Sequence, residues 1–384
     1  MISDWNKNIY IILCYQENST KMCSSTHVKA KRYIFALMKK YTIKNIAELA
    51  GVSKGTVDRV IHKRGKVSTI ALEKVTAILN EIDYRPNLLA RSLKNTKDHH
   101  ICVVLPDYNK DAFWLPCYEG IVEAVNEFAS FGVFIEPFFF YPNDVYSFVE
   151  VNNKVIELSP DAVLLAPLFY KETVEIINKY ALKNIIVSKF NNQLEIENTK
   201  NFVGQDLFKS GRIAASLLQM IVKKNASIAI IHVDEDFNNS IHMQEKEKGF
   251  RAYFDEVKNA NYKIITHNSK QTELTNNLEF IFSDNFLSDA IFVTTSKVFE
   301  VAEFIKSKKL NNIKLIGYDL LEENIQYLKE NTIHFLIHQN PKKQVYLGLT
   351  YLVDFFLFGK EIPTKSLLPI DIITAENLDT YLEN

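Results

Sequence analysis

Residues 41–66 read YTIKNIAELAGVSKGTVDRVIHKRGK, and the spacing of the apolar positions in this stretch predicts two short helices meeting at a tight turn. Thr42 can cap a first helix, with Asn45 where a full capping box would have Glu or Gln. Ile43, Ile46, Ala47, Leu49 and Ala50 recur at intervals of three and four and supply its inward face. Gly51 permits the turn, Val52 plugs the small core, and Ser53 caps a second helix with apolar Val57, Val60 and Ile61. In such a helix-turn-helix the second helix lies in the major groove and its first residues meet base edges. Here these are Ser53, Lys54, Gly55, Thr56, Asp58 and Arg59.

Lys54, near the helix start, can reach purine acceptors, and Arg59 can bond bases or phosphate. Thr42, Ser53 and Thr56 are candidates for phosphate contact. Gly55 either lets the backbone approach the groove or is tolerated at about 1 kcal/mol. Asp58 accepts from a cytosine amino group or holds Arg59 or Lys63 in place; the second reading is preferred. Val67, Ile70, Leu72, Val75, Ile78, Leu79 and Ile82, with Ser68 as cap, predict a third helix that closes the core.

Outward from this head, Tyr84 to Leu93 reads YRPNLLARSL. Pro86 ends the preceding helix, and Asn87 starts a short one, basic through Arg91 and apolar through Leu88, Leu89, Ala90 and Leu93. Alone it is too short to persist. Paired with a symmetry mate on DNA it can fold, Leu93 wedging between base steps of the minor groove; the alternative is a linker whose leucines dock on the body. Formal charge over the 384 residues is -1. From Tyr41 to Lys97, however, eleven Lys or Arg face five acids, the local positive field that phosphate contact needs.

The remainder alternates strand-like apolar runs with helical patterns. Strands are predicted at residues 101–106, 133–140, 161–167, 184–190, 227–233, 262–267, 289–295, 312–319 and 334–339. Near-continuously apolar strands separated by helices indicate doubly wound parallel sheets, and their number suits two lobes with a cleft between them. After Pro106 the chain reads DYNKDAFWLPCYEG, with no Gly-rich phosphate loop, which argues against a dinucleotide site. Phe113 and Trp114 either stack on a sugar face or belong to the core. Ser188, Lys189, Thr295, Ser296, Asp319 and Gln339 end strands, and Lys246 precedes Gly249 and Phe250 in a helix. Together they can surround a small polar molecule, Asp319 being the strongest candidate.

The chemistry-bearing patterns of enzymes are missing: the histidines are scattered, with no HExxH and no nucleophile elbow, and His338 has no visible partner. Cys14, Cys23, Cys102 and Cys117 have no paired or metal-ligand spacing and read as reduced thiols of a cytosolic chain. Residues 1–37 contain only a short apolar run, IYIILC, far below a membrane span. The expectation is that the protein begins at Met38, the upstream residues being a start-site overcall or a disordered arm; the alternative is an extension adding phosphate contacts through Lys29, Lys31 and Arg32. The domain reading is therefore 38–83 for the DNA-reading head, 84–97 for the hinge and 98–384 for the body.

From about Thr42 onward the chain resembles the lactose-repressor family of bacterial transcription regulators. TIKNIAELAGVSKGTVDRV carries the head signature and YRPNLLARSL the hinge. VGQDLFKSGRIAASLL and KLIGYD resemble the body of periplasmic sugar-binding proteins of the ribose-binding type. The resemblance implies a cytoplasmic homodimer on near-palindromic double-stranded operator DNA, most simply a repressor, with no cofactor or metal. It puts Leu93 in the hinge-leucine role and Lys54, Gly55 and Arg59 at principal reading positions, and it places lobe crossings near Gly204, His338 and Pro363. Effector positions fall on Phe113, Trp114, Ser188, Lys189, Lys246, Thr295, Asp319 and Gln339. Where sugar-binding relatives carry Asp-Arg the chain has Ser188-Lys189, where they carry Arg it has Lys246, and where they carry Asn it has Thr295. Lys lacks the bidentate grip of Arg, so the departures imply a modified or anionic sugar, or another small metabolite. Asp58 also departs from the usual Ser. An activator or repressor of the same architecture that responds to a non-sugar metabolite is the alternative, and a periplasmic-type solute receptor or an enzyme stands behind it.

Overall fold

The computed structural model describes residues 43–61, 65–81, 98–233, 240–257, 261–282, 288–310 and 312–382. Thr42, Asn87, Arg91 and Leu93, with residues 1–37 and the whole hinge at 84–97, lie outside them. The chain divides into two compact units, residues 1–87 and 88–384.

The head contains α1 (Ile43–Ala50), α2 (Lys54–Ile61) and α3 (Thr69–Glu81). Gly51 turns the chain with φ of 63°, where a side chain would be strained. Ser53 Oγ accepts the Thr56 backbone N–H at 3.1 Å, an N-cap that satisfies one orphan donor of α2. Ser68 caps α3 in the same way through Ala71 N–H. The core is Ile46, Ala47, Ala50, Val57 and Val75. Leu49, Ile70 and Leu72 are exposed, contrary to their expected inward placement. Three short helices enclose one narrow core, and apolar residues off that line stay outside.

The body has two six-stranded sheets. The first lobe is built from β1 (His99–Pro106), α4 (Leu115–Phe128), β2 (Val133–Phe140), α5 (Val145–Leu158), β3 (Ala162–Leu165), α6 (Tyr170–Leu182), β4 (Ile186–Phe190) and β5 (Asn201–Gly204). The second comprises α7 (Leu207–Ile221), β6 (Ser227–Val233), α8 (Ile241–Glu256), β7 (Lys263–Ser269), α9 (Leu274–Ile281), β8 (Ala290–Val293), α10 (Val298–Ser307), β9 (Lys314–Tyr318), α11 (Glu322–Lys329) and β10 (Phe335–His338). The chain then returns through α12 (Pro341–Phe358) and β11 (Ser366–Leu367) to β12 (Asp371–Ile373) and α13 (Asp379–Leu382).

Strand order is β11-β5-β4-β3-β1-β2 in one sheet and β12-β10-β9-β8-β6-β7 in the other. Among the described residues every strand pairing is parallel except that of β10 with β12. Pro137 is tolerated in β2 because that strand is an edge. The lobes repeat one device. Asp161 Oδ2 accepts the His100 backbone N–H at 3.0 Å, and Asp289 Oδ2 accepts that of Ser227 at 2.9 Å, so each central strand is pinned at its start by an Asp that precedes the neighbouring strand. In the second lobe, Ala229, Ile231 and Val233 face one core and Ile228 and Ile230 the other, the period-two alternation of a sheet covered on both faces.

The chain passes between lobes three times. Two passages follow β5, which ends at Gly204, and β10, which ends at His338. The third lies between Leu367 and Asp371, beyond the expected Pro363, because β11 still pairs with β5 before β12 joins β10. Gln205 ties the passages together, its Nε2 donating to His338 O at 2.9 Å and Pro369 O at 2.6 Å.

Candidate functional site

The C-terminal ends of the parallel strands of both lobes face a cleft of about 500 Å³, the position where polar ligand contacts collect in open α/β sheets. From the first lobe, the turn after β1 contributes Lys110 to Trp114, the turn after β2 Tyr141 to Asp144, and the segments after β3 and β4 Leu168 and Asn191. From the second come His242 and Lys246 of α8, Thr295 and Ser296 after β8, Asp319 after β9 and Gln339 after β10.

Six of the eight residues expected around an effector therefore line one cavity: Phe113, Trp114, Lys246, Thr295, Asp319 and Gln339. Phe113 and Trp114 meet edge to face, with centroids 4.9 Å apart and planes at 88°. Asp111 Oδ1 accepts the Phe113 backbone N–H and fixes this turn, while Trp114 packs edge-on against Phe190. Both rings are nearly buried in the lobe core, and both belong to the lining of the cleft.

Asp319 adopts φ of 64°, a region that Asp tolerates better than most residues. Its Oδ1 accepts the Gln339 backbone N–H at 3.0 Å and its Oδ2 the Gln339 side-chain amide at 2.6 Å. The Asn324 amide holds the carbonyls of Ser296, Tyr318 and Asp319, which sets the loops on either side. Gln344 spans the lobes, donating to Gln339 O at 2.8 Å and accepting from Asn191 N at 2.9 Å.

Lys246 is 1% exposed. Its ammonium donates to Thr294 O at 2.9 Å and sits 3.7 Å from the Tyr318 ring centroid, a cation–π contact that offsets desolvation. The carbonyl of Lys246 rests against Gly211, where an added Cβ would stand 1.9 Å away, and Gly249 meets Phe208 O in the same manner. Two glycines thereby let α7 and α8 approach closely and set the depth of the ammonium. Behind it, His232 Nδ1 meets Thr294 Oγ1 at 2.7 Å and its Nε2 meets Glu247 Oε2 at 2.8 Å. Burial lowers the His232 pKa, against the hydrogen bond and charge of Glu247 that raise it. Burial opposes the Glu247 charge, yet hydrogen bonds from His232, Thr266 and Arg251 prevail and hold its pKa at about 2.

Ser188 and Lys189 are not among the lining residues. Both lie within β4, which runs on to Phe190, so the cleft is reached only at Asn191. Lys189 Nζ turns to Leu194 O at 2.5 Å, and burial, against the opposing pull of Glu195, brings its pKa down to about 8. Sequence reasoning passed over Asn191, His242 and Tyr141. The Asn-Asn pair after the apolar end of β4 was the available signal for Asn191, since Asn is favoured where φ turns positive; here it is 68°.

On the head, Ser53, Lys54, Gly55 and Arg59 are exposed, while Thr56 and Asp58 are half-buried. The Ser53 and Thr56 hydroxyls bond each other at 2.9 Å.

Residues 42–87 match the model of bacterial regulatory proteins of the lacI family, and residues 101–361 that of a periplasmic binding protein domain. The chain thus carries a lacI-family DNA-binding domain, and its body belongs to the periplasmic binding protein domain family. A ribose operon repressor of Lactococcus lactis subsp. lactis is 25% identical over 345 residues, covering 88% of this regulator and 98% of its relative. The sucrose operon repressor of Klebsiella pneumoniae is 45% identical over 78 residues, 20% of this chain and 23% of that one. A crystal structure described as a LacI transcriptional regulator from Bacteroides fragilis superposes with a TM-score of 0.70 at 29% identity, covering 74% of this chain and all of that one. The regulator thus joins a DNA-reading head to a ligand-binding body, and its kinship points to regulation rather than to an enzyme. Among the described residues no helix is long and apolar enough to cross a membrane.

Proposed function

We propose that this regulator is a cytoplasmic, sugar-responsive transcriptional repressor that binds near-palindromic operator DNA as a homodimer. The observation carrying this reading is the cleft itself. It is lined by the aromatic rings of Phe113, Trp114, Tyr141 and Phe299 and by Asn191, Thr295, Asp319 and Gln339, acceptors and donors suited to hydroxyls, on a chain that also bears a helix-turn-helix. The names of the ribose and sucrose operon repressors among its relatives support a sugar. The lining holds five carboxylates (Asp111, Asp144, Asp319, Glu300 and Glu323) against Lys110, Lys246 and Lys297, and the Lys246 ammonium already has a carbonyl and a ring beside it. That balance favours a neutral polyhydroxyl compound over the anionic sugar suggested by the Lys substitutions.

Ligand contacts from both lobes favour the closed cleft, and closure changes how the two halves of a dimer present their heads, so effector and operator affinities are linked. In this reading Lys54 and Arg59 meet the groove, Ser53, Thr56 and Thr42 the phosphates, and Leu93, with Asn87 and Arg91, the minor groove. The test is a thermal-shift screen of neutral sugars and sugar phosphates, followed by binding to DNA selected from genomic fragments with and without the hit. Stabilisation by a neutral sugar that also alters DNA affinity is expected. A hit that stabilises the protein and leaves DNA binding unchanged would sink the linkage, and no hit among sugars would remove the effector class.

A further inference from the structure

The start of β1 and the edge strand β2 carry a cluster far from the chemistry of the cleft. His100 and Cys102 are two residues apart on β1 and therefore share a sheet face; Glu136 on β2 is the register partner of Cys102. His100 Nε2 stands 3.0 Å from Glu136 Oε2 and 3.5 Å from Cys102 Sγ, and the three donor atoms all lie within 4.8 Å of one another. Cys102 is buried, while His100 and Glu136 are part-exposed, so the cluster opens to solvent on one side.

One ring nitrogen faces two partners that it cannot serve together. If Nε2 carries the proton it donates to Glu136 and has no lone pair for the thiol; if it is bare it can accept from the thiol and stands against a carboxylate that only accepts. A single cation placed among the three atoms satisfies all of them. Ligands at about 2.0–2.3 Å from a tetrahedral zinc ion stand roughly 3–4 Å apart, the range already spanned by two of the pairs here. Sulfur, imidazole nitrogen and carboxylate oxygen are together the donor set of zinc rather than of magnesium or calcium.

We propose that His100, Cys102 and Glu136 form a binding site for a zinc-type divalent cation, with its fourth position open to water. The ion would clamp the first strand of the body to its edge strand, directly after the segment that leaves the head. Three protein ligands and an open position make an exchangeable site, so its occupancy follows the free metal concentration. Cysteine spacing along the chain gives no hint of it, because the three ligands come together only through strand alternation and register.

The test uses the full chain carrying Cys14→Ser and Cys23→Ser, stripped with a chelator and titrated with Co²⁺ under a phosphine reductant. One equivalent is expected to produce a thiolate-to-cobalt charge-transfer band that Zn²⁺ abolishes, and Zn²⁺ should raise the melting temperature. Cys102→Ser removes the band, and His100→Ala or Glu136→Gln weakens Co²⁺ binding at least tenfold. Because Cys102 is a core residue, its substitution is paired with Glu136→Gln at the part-exposed edge, whose fold is checked by circular dichroism. No band, a band that survives Cys102→Ser, or Co²⁺ affinity unchanged in both His100→Ala and Glu136→Gln overturns the site.

Discussion

Gln339 holds both oxygens of the Asp319 carboxylate, one through its backbone N–H at 3.0 Å and the other through its side-chain amide at 2.6 Å. Gln339 is also bonded through Gln344 to Asn191 of the other lobe. The carboxylate that faces the cleft is thus part of the connection between lobes. Asp319→Ala leaves two donors of Gln339 without an acceptor and should cost about 2–3 kcal/mol of stability. It should also remove the stabilisation given by the effector. Gln339→Ala frees only Oδ2, because the backbone N–H still holds Oδ1, and should weaken effector binding with a smaller loss of stability, as read by urea melts with and without ligand.

Gly211 and Gly249 let α7 and α8 pack backbone to backbone. Gly211→Ala drives a Cβ to 1.9 Å from Lys246 O, and no flexible side-chain end is available to yield. The expected cost is about 3 kcal/mol by chemical denaturation. Since the displaced carbonyl belongs to Lys246, effector affinity should fall with it; an unchanged affinity in a folded variant would show that ammonium depth is not set by this packing.

Acid should loosen the second lobe in two stages. The folded pKa values of His232 and Glu247 are both depressed. A depressed folded pKa means that the unfolded chain takes up the proton first as pH falls, so the stabilising contribution is complete above the unfolded value and is lost below it. For His232 the loss begins below about 6.5; for Glu247 it runs from about 4.3 down to about 2 and amounts to roughly 3 kcal/mol. Urea melts at stepped pH should show this decline, and Glu247→Gln should flatten the lower part.

The head offers a test of what Gly55 is for. A Cβ there would meet only Ser53 Oγ at 3.8 Å, so the fold has room for it. Gly55→Ala should stabilise the helix by up to about 1 kcal/mol. Weaker operator binding by a stabilised head would favour close backbone approach to DNA; unchanged binding would favour simple tolerance. Ser53→Ala should cost about 1 kcal/mol through the lost cap.

What could be read along the chain was whatever depends on neighbours in sequence. Head helices, Gly51 turn, Ser53 cap and the strand-helix rhythm of the body follow from local spacing, and β2 and β6 fall where their apolar runs place them. The strands β11 and β12 were passed over because two or three residues leave no periodicity to detect, and the four residues of β5 were passed over as well. They exist only because an existing sheet edge accepts their backbone groups.

The cleft was half legible for the same reason. Strand ends predicted that Asp319, Gln339 and Thr295 would converge, but strand length is decided by pairing. Phe190, the end of the expected strand as well, pairs with Val203, so β4 runs one residue past Lys189 and the cleft position falls to Asn191. The sequence by itself determined the family, the kind of DNA reader and the doubly wound body. Tertiary structure alone decided which carboxylate is held by which amide, how deep the Lys246 ammonium lies and that His100, Cys102 and Glu136 meet, because these depend on register and helix approach between segments far apart in the chain.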